Sequence, residues 1–424
     1  MQDAVIVGAA RTAVGKAPRG ALRETPPEAL AVAAVREAMA RTPGLDPAEV
    51  GDLVLGCAMP EGAQGLNVAR YVGLASGLPQ TTSAMTVNRF CASGLQALAL
   101  ATQAVAFGTS DVVIAAGMES MSFVPMTGWH FDPDPGLAGD WPGAFLNMGL
   151  TAEEVAGRFG VERAAQDAWA LRSHQRAAAA QAAGRFHDEI VPVRARSTVT
   201  TDGRPAAGER LFDADEGIRA DTSAERLAAL APAFRVGGSV TAGNSSQTSD
   251  GAAALVVMSG ARAAQLGLTP LGRLVSYATV GVDPEIMGIG PVEAIPRALA
   301  QAGITLDDLS VIELNEAFAA QVVAIVRKLG LDEERTNPNG GAIALGHPLG
   351  ATGAKLSVQA LSELARRDAR YGLVTMCVGG GQGASGVIEW LGGRQPARGR
   401  DPSGESQPSG ESQPTSGLTR EAAS

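Results

Sequence analysis

Aromatic residues make up only 4% of this chain of 424 residues, so its core must be aliphatic and rich in alanine. Cysteine is scarce as well: Cys57, Cys91 and Cys377 are too few and too scattered for a disulfide framework or a zinc site. A reducing compartment is expected, and with it a cytoplasmic location. Basic residues are outnumbered, which gives a formal net charge of -10. That balance excludes a general nucleic-acid binder, which needs a basic surface, but leaves room for a local basic patch that takes a phosphorylated ligand. The first residues show no basic leader ahead of an apolar run, so no signal peptide is expected. No uncharged apolar run reaches membrane-spanning length, so no membrane insertion is expected either.

What is present is ordinary for a soluble enzyme, with 45% hydrophobic and 18% charged residues. The length allows two domains or one large double unit. One stretch organises the rest: Val87-Asn88-Arg89-Phe90-Cys91-Ala92-Ser93-Gly94. Before the cysteine, Met85 to Val87 reads as the end of a short buried strand. After it, Leu95 to Phe107 reads as a helix with no charged residue on any face, the pattern of a buried helix. Cys91 at the start of that helix would face free backbone N–H groups and the positive end of the helix dipole, both of which favour thiolate. A cysteine taken alone is more often a small buried hydrophobe, and Cys57 is read that way.

Around this stretch the chain alternates strands and helices. Ala4 to Gly8 is a strand, but its glycine spacing is not GxGxxG and no dinucleotide site is expected. Pro27 to Met39 is a helix, and Asp52 to Cys57 and Asp111 to Gly117 are strands. From Met121 to about Asn244 the texture changes to Pro- and Gly-broken loops and polar helix, the look of a cap placed on a rigid body. Ala252 to Met258, Arg273 to Val280, Ser310 to Leu314 and Gly372 to Val378 return to strand, with helices at 296–301, 315–328 and 355–367. The two parts rhyme. A small-residue hinge with Cys91, a helix and a strand in the first are matched by the hinge Gly346-His347-Pro348, a helix and a strand in the second. Duplicated α/β halves are therefore expected, and pairing them would bring Cys91 and His347 together. Beyond Leu391 the six residues Pro402–Gln407 recur from Pro408 in a stretch with almost no apolar residues, which reads as a disordered tail.

The candidate chemistry is spread over four hinges. Of the four histidines, His130, His174 and His187 read as solvated. His347, held between glycine and proline, is aimed rather than packed. Cys377 runs into Val378-Gly379-Gly380-Gly381-Gln382-Gly383, whose free N–H groups can face an anion. Asn315 follows a strand directly, and its plain reading is a helix N-cap. Together these supply two thiols, an imidazole, an amide and two backbone nests. A cysteine activated by histidine can carry an acyl group, a second thiol can move a proton to or from carbon, and the N–H groups can hold oxyanions. Carbon–carbon cleavage beside a thioester needs all three functions, whereas peptide hydrolysis needs no second acid–base thiol.

At these residues the chain resembles the thiolases, especially the degradative 3-ketoacyl-CoA thiolases. The resemblance is carried by the Cys91 stretch, Asn315-Glu316-Ala317-Phe318-Ala319, Gly340 to Pro348, and Cys377 to Gly383. Met148-Gly149-Leu150-Thr151-Ala152-Glu153 and Thr241 to Ser246 also fit, so that it spans about residues 3 to 391. It implies a thiolase-like five-layered αβαβα fold of class α/β. Residues 1–120 would form the N-terminal half, 121–250 mostly the inserted loop domain, returning to the N-terminal half near its end, 251–391 the C-terminal half, and 392–424 the tail. It further implies Cys91 as acyl-carrying nucleophile, His347 as its activator, and Asn315 as holder of a water beside the enolate oxygen. Cys377 would be the acid–base thiol, and Cys91 and Gly379 would supply N–H donors to a second oxyanion. Ser246, Met148 and Phe318 would line the pantetheine channel, and Arg219 would meet a phosphate or the adenine. Coenzyme A enters as co-substrate with no tightly bound cofactor, acyl-CoA thioesters are the partners, and the resemblance implies a homodimer or homotetramer, with room for a partner subunit of fatty-acid β-oxidation. Biosynthetic acetoacetyl-CoA thiolases commonly carry histidine where Asn147 stands, which favours the degradative branch over an acetyl-CoA C-acetyltransferase. A ketosynthase-like condensing enzyme is disfavoured by Cys377, and a non-catalytic lipid carrier by the intact Cys91, His347 and Cys377.

Overall fold

The computed structural model describes residues 2–201 and 204–394. The first half contributes strands β1 (Ala4–Thr12), β2 (Gly15–Lys16), β3 (Val50–Gly56), β4 (Ser83–Val87) and β5 (Val112–Ser120), with helices α1 (Pro27–Ala40), α2 (Val68–Ala75) and α3 (Ser93–Phe107). The cap holds α4 (Pro135–Asp140), α5 (Met148–Arg158), α6 (Arg163–Ala182), the short strand β6 (Ile190–Val191), a hairpin of β7 (Val193–Thr201) and β8 (Arg204–Phe212), and α7 (Ala224–Ala228). The chain then returns through β9 (Ser249–Ser259), α8 (Gly260–Gln265), β10 (Gly272–Gly281) and α9 (Gly290–Ala302). It closes with β11 (Leu309–Leu314), α10 (Ala319–Leu329), α11 (Ala342–Leu345), α12 (Leu349–Arg367), β12 (Tyr371–Val378) and β13 (Gln382–Trp390). The cap hairpin and β13 were not legible in the sequence.

The main sheet runs β11-β12-β13-β10-β1-β9-β5-β3-β4, with β2 on β9 and β6 on β1. The same four-strand plan occurs twice in it: a parallel pair (β3 and β5, β11 and β12) followed by two antiparallel strands. The two plans meet through one register pair, Ile6 with Gly272. Strands buried on both faces read as continuous apolar runs, and here successive side chains feed different layers. In β5, Val113 and Ala115 enter the central core with α3 and α12, while Val112, Ile114 and Ala116 face the outer core under α1 and α2. A third core lies beneath α9 and α10. The order is helix, sheet, helix, sheet, helix, the five-layered α/β arrangement.

Two expectations are corrected here. The stretch Phe90–Phe107 is, by length and composition, apolar enough to cross a membrane, but 56% of it is buried and α3 packs on α12 and the sheet, so it is a core helix. The strand before Cys91 is not buried: β4 pairs only with β3 and leaves Met85 40% exposed at the sheet edge. The tail read as disordered lies, beyond Arg394, outside the described residues.

The central helices touch because glycine lets their backbones approach. A Cβ on Gly94 would stand 2.6 Å from the Ala354 nitrogen, and one on Gly353 would stand 2.2 Å from the Leu95 nitrogen. This crossing sets the hinge before α3 against the hinge before α12. A buried ion cluster then clamps the cap: Arg11, inside β1, donates to Asp215 with both terminal nitrogens at 2.9 Å and to Glu189 at 2.8 Å. Burial works against its charge, but the two carboxylates outweigh it and keep the guanidinium ionised.

Candidate active site

Cys91 sits on a single 3-10 turn, Phe90–Ala92, between β4 and α3. The turn is held in an unusual shape. Phe90 has φ +41, its N–H donates to Asn88 Oδ1 at 2.8 Å, and Ser93 Oγ both donates to the Phe90 carbonyl and accepts from the Arg89 N–H. A left-handed non-glycine residue beside a reactive group is strain of the kind found at functional sites. The expectation of a thiolate-favouring position is corrected: burial pushes the Cys91 thiol up to about 12, outweighing the Gly379 and Cys91 N–H groups that lean on its sulfur. Those two N–H groups are the pair expected at the second oxyanion position.

His347 lies between α11 and α12. Gly346, at φ +85, has no space for a side chain, since a Cβ would meet Val14 at 2.6 Å and Ser249 at 2.7 Å. The His347 N–H donates to Ser249 Oγ at 3.0 Å. Ring orientation is set by Thr352, which was missed in the sequence. Its hydroxyl donates to the Pro348 carbonyl at 3.1 Å, leaving the oxygen to accept from His347 Nδ1–H at 2.6 Å. Nε2 is then the bare nitrogen, and Asn315 Nδ2 donates to it at 3.3 Å. Burial, with the Lys355 cation second, lowers the His347 pKa to about 3, so the resting imidazole is neutral. Asn315 is not an N-cap, because α10 begins at Ala319, capped by Phe318. Its Oδ1 is buried without a protein partner, so it can accept from a water or a substrate.

Cys377 is the penultimate residue of β12 and is fully buried. Its thiol donates to Gln321 Oε1 at 3.0 Å, a second residue missed in the sequence. Burial, then the Cys91 sulfur, raises its pKa well above the usual thiol range. The turn carrying Cys91 packs on α12 and on β12, so the structure brings Cys91, His347, Asn315, Cys377 and Gly379 to one place. Met148 and Phe318 pack with Cys377, and the Phe318 ring meets Phe234 edge to face at 6.0 Å. The half-buried Ser246 donates from its N–H to the Ala317 carbonyl at 2.9 Å. Arg219 is apart from this cluster. It is exposed and lines a cavity of about 160 Å³ with His174, Arg226, Gly243 and Gln247, and the segment between those last two pairs with Ala317 and Phe318 beside the thiol cluster.

His174 corrects its reading as solvated, since it is buried and its Nδ1 accepts from the Arg219 N–H at 3.2 Å. Burial and the Arg219 and Lys16 cations lower its pKa to about 4. Both buried histidines are neutral in the fold, whereas the unfolded chain protonates them near pH 6.5. Stability they contribute is therefore present above that pH and lost as the pH falls toward 4. In His174→Gln the acid-side decline in urea-unfolding stability should be shallower than in the parent by about 1.4 kcal/mol per pH unit, and parallel curves would refute it.

The constellation is that of a thiol-dependent acyl-transfer enzyme built on a duplicated α/β fold. The chain belongs to the thiolase family: the profile "Thiolase, N-terminal domain" matches residues 4–261 and "Thiolase, C-terminal domain" matches residues 268–390. It is similar to the 3-ketoacyl-CoA thiolase of Bacillus subtilis (strain 168), 53% identical over 390 residues that span 92% of this chain and 100% of that protein. It is also similar to the acetyl-CoA acetyltransferase of Pseudomonas aeruginosa, at 48% identity over 91% of this chain and 98% of that protein. Among solved structures, the Bacillus anthracis acetyl-CoA acetyltransferase superposes with a TM-score of 0.83 at 41% identity, covering 92% of this chain and 99% of that one.

Proposed function

We propose that the chain is a 3-ketoacyl-CoA thiolase, cleaving a 3-ketoacyl-CoA with coenzyme A to acetyl-CoA and a shortened acyl-CoA. The observation that carries this is that Cys91 lies beside Cys377 and the Gly379 N–H, and that Cys377 is linked through Gln321 to Asn315, whose side chain holds Nε2 of a neutral His347. Cys91 gives its proton to His347 Nε2 as it attacks the keto carbon, and the N–H groups of Cys91 and Gly379 hold the resulting oxyanion. Collapse breaks the carbon–carbon bond and leaves its electron pair on the acetyl-CoA fragment as an enolate. His347 Nε2–H and a water on Asn315 meet the enolate oxygen, and Cys377 transfers its proton to the α-carbon. Incoming coenzyme A makes good that proton by way of His347 and attacks acyl-Cys91, which leaves as thiolate and recovers the proton it lent.

Met148, Phe318 and Ser246 would flank the pantetheine arm, with Arg219 and its cavity taking the nucleotide end. Asn147 supports the degradative branch, since its Oδ1 is engaged in capping α5 through the Gly149 N–H at 2.9 Å. The exposed edge strand β4, with Leu66, Tyr71 and Leu74 exposed beside it, supports a homo-oligomer. The chain would act in β-oxidation in the cytoplasm, as two halves with the inserted domain set into the first: residues of about 1–120 rejoined by β9, and a second half from β10 to about residue 391.

The test is thiolysis across acyl chain lengths, with intact-mass analysis of the trapped protein. Turnover of medium and long 3-ketoacyl-CoA, with the acyl mass on Cys91, is the expected result. Activity confined to acetoacetyl-CoA would transfer the reading to an acetyl-CoA acetyltransferase, the name several relatives carry. No turnover and no acyl mass would leave a non-catalytic carrier.

A further inference from the structure

Gln321 enters the site from the first turn of α10 and is fully buried. Its Nε2 donates to the Asn315 carbonyl at 3.3 Å, and its Oε1 accepts from Cys377 Sγ at 3.0 Å. The orientation of this amide is not free. A backbone carbonyl can only accept, so the NH₂ end must face Asn315 and the oxygen must face the sulfur. The side chain of the same Asn315 donates to His347 Nε2, so one residue is held through its backbone to the thiol's partner and through its side chain to the imidazole. The Asn315 N–H is also tied to the Thr375 carbonyl of β12, so Asn315 and Cys377 are both referred to the end of that strand.

We propose that Gln321 is a positioning residue of the carbon–carbon step, its carbonyl holding the Cys377 S–H and its amide tying that thiol to the backbone of Asn315. This deepens the thiolase reading and rests on it. The physical consequence is a bias in protonation. An oxygen that can only accept stabilises S–H and would face a thiolate with its negative end, so Gln321 keeps Cys377 in its acid form. Among the described residues the charge that bears on Cys377 is that of Cys91, and Met148, Val240, Met287, Ala317 and Phe318 belong to the apolar cluster in which it sits, with His347 reached through Asn315. In cleavage, the S–H bond breaks, its proton forms the new C–H bond of acetyl-CoA, and the thiolate is reprotonated with the proton of the incoming coenzyme A thiol. In the reverse sense the thiolate removes that same α-proton.

Two variants of the full-length protein test this: Gln321→Met, which keeps the shape and removes the acceptor, and Gln321→Glu, which keeps an acceptor and adds negative charge. Three rates are read against pH: thiolysis of a 3-ketoacyl-CoA, exchange of acetyl-CoA methyl protons with D₂O, and acyl transfer between coenzyme A and Cys91. In Gln321→Met, thiolysis should fall about tenfold while acyl transfer, which does not use Cys377, stays within about twofold. The alkaline limb of thiolysis and the acid limb of proton exchange should both move down by about half a unit or more, and in Gln321→Glu both should move up. Unmoved limbs in both variants, or equal losses in all three rates, would reduce Gln321 to a packing residue and overturn the proposal. Failure of the parent protein itself to cleave or to form acyl-Cys91 would instead sink the thiolase reading on which it depends.

Discussion

Cys91→Ser should form no acyl-protein and should lower thiolysis by roughly 10⁴-fold or more, because the residue removed is the one that becomes covalently bonded. The substitution conserves shape, and the oxygen keeps access to the same two N–H groups. What it loses is acidity. A buried imidazole lowered to about 3 is a weak base, adequate for a thiol only when attack and proton transfer run together, and inadequate for a hydroxyl. Intact-mass measurement after incubation with 3-ketoacyl-CoA checks this directly. An acyl mass that survives in Cys91→Ser, localised to Cys377, would mean the two sulfurs have exchanged roles.

Cys377→Ala should separate the two halves of the reaction. Carbon–carbon cleavage should fall by roughly 10³- to 10⁴-fold, the scale of a lost general acid aimed at carbon. Acylation of Cys91 by acyl-CoA should persist, since it needs only the nucleophile, the imidazole and the Cys91 and Gly379 N–H groups. The alanine leaves a small space among Met148, Val240 and Phe318, where destabilisation of about 1–2 kcal/mol is expected, too little to unfold the chain. Methyl-proton exchange of acetyl-CoA in D₂O should disappear with cleavage. Retained exchange would assign the carbon acid–base role to another group, with His347 the first to test.

Much of the site was legible because its residues stand in loops where their types have few other uses. Cys91 before an uncharged helix, His347 between glycine and proline, and Cys377 before a glycine run each break a local packing pattern. Thr352 and Gln321 were not legible, because each sits inside a helix, where its residue type is unremarkable and its role depends on what another segment presents. His174 was misread for a related reason. A polar helix that looks solvated alone is covered here by the loop carrying Arg219.

The chain's own order of residues determined the duplicated α/β plan, the buried helix after Cys91 and the residue types available for acyl transfer, since apolar periodicity and hinge composition are local properties. The tertiary structure alone decided how those residues are protonated. Folding sinks both thiols and the imidazole into a low-dielectric interior, where desolvation outweighs helix dipole and N–H groups and leaves all of them neutral at rest. Proximity and burial belong to segments hundreds of residues apart, so no stretch read by itself contains them.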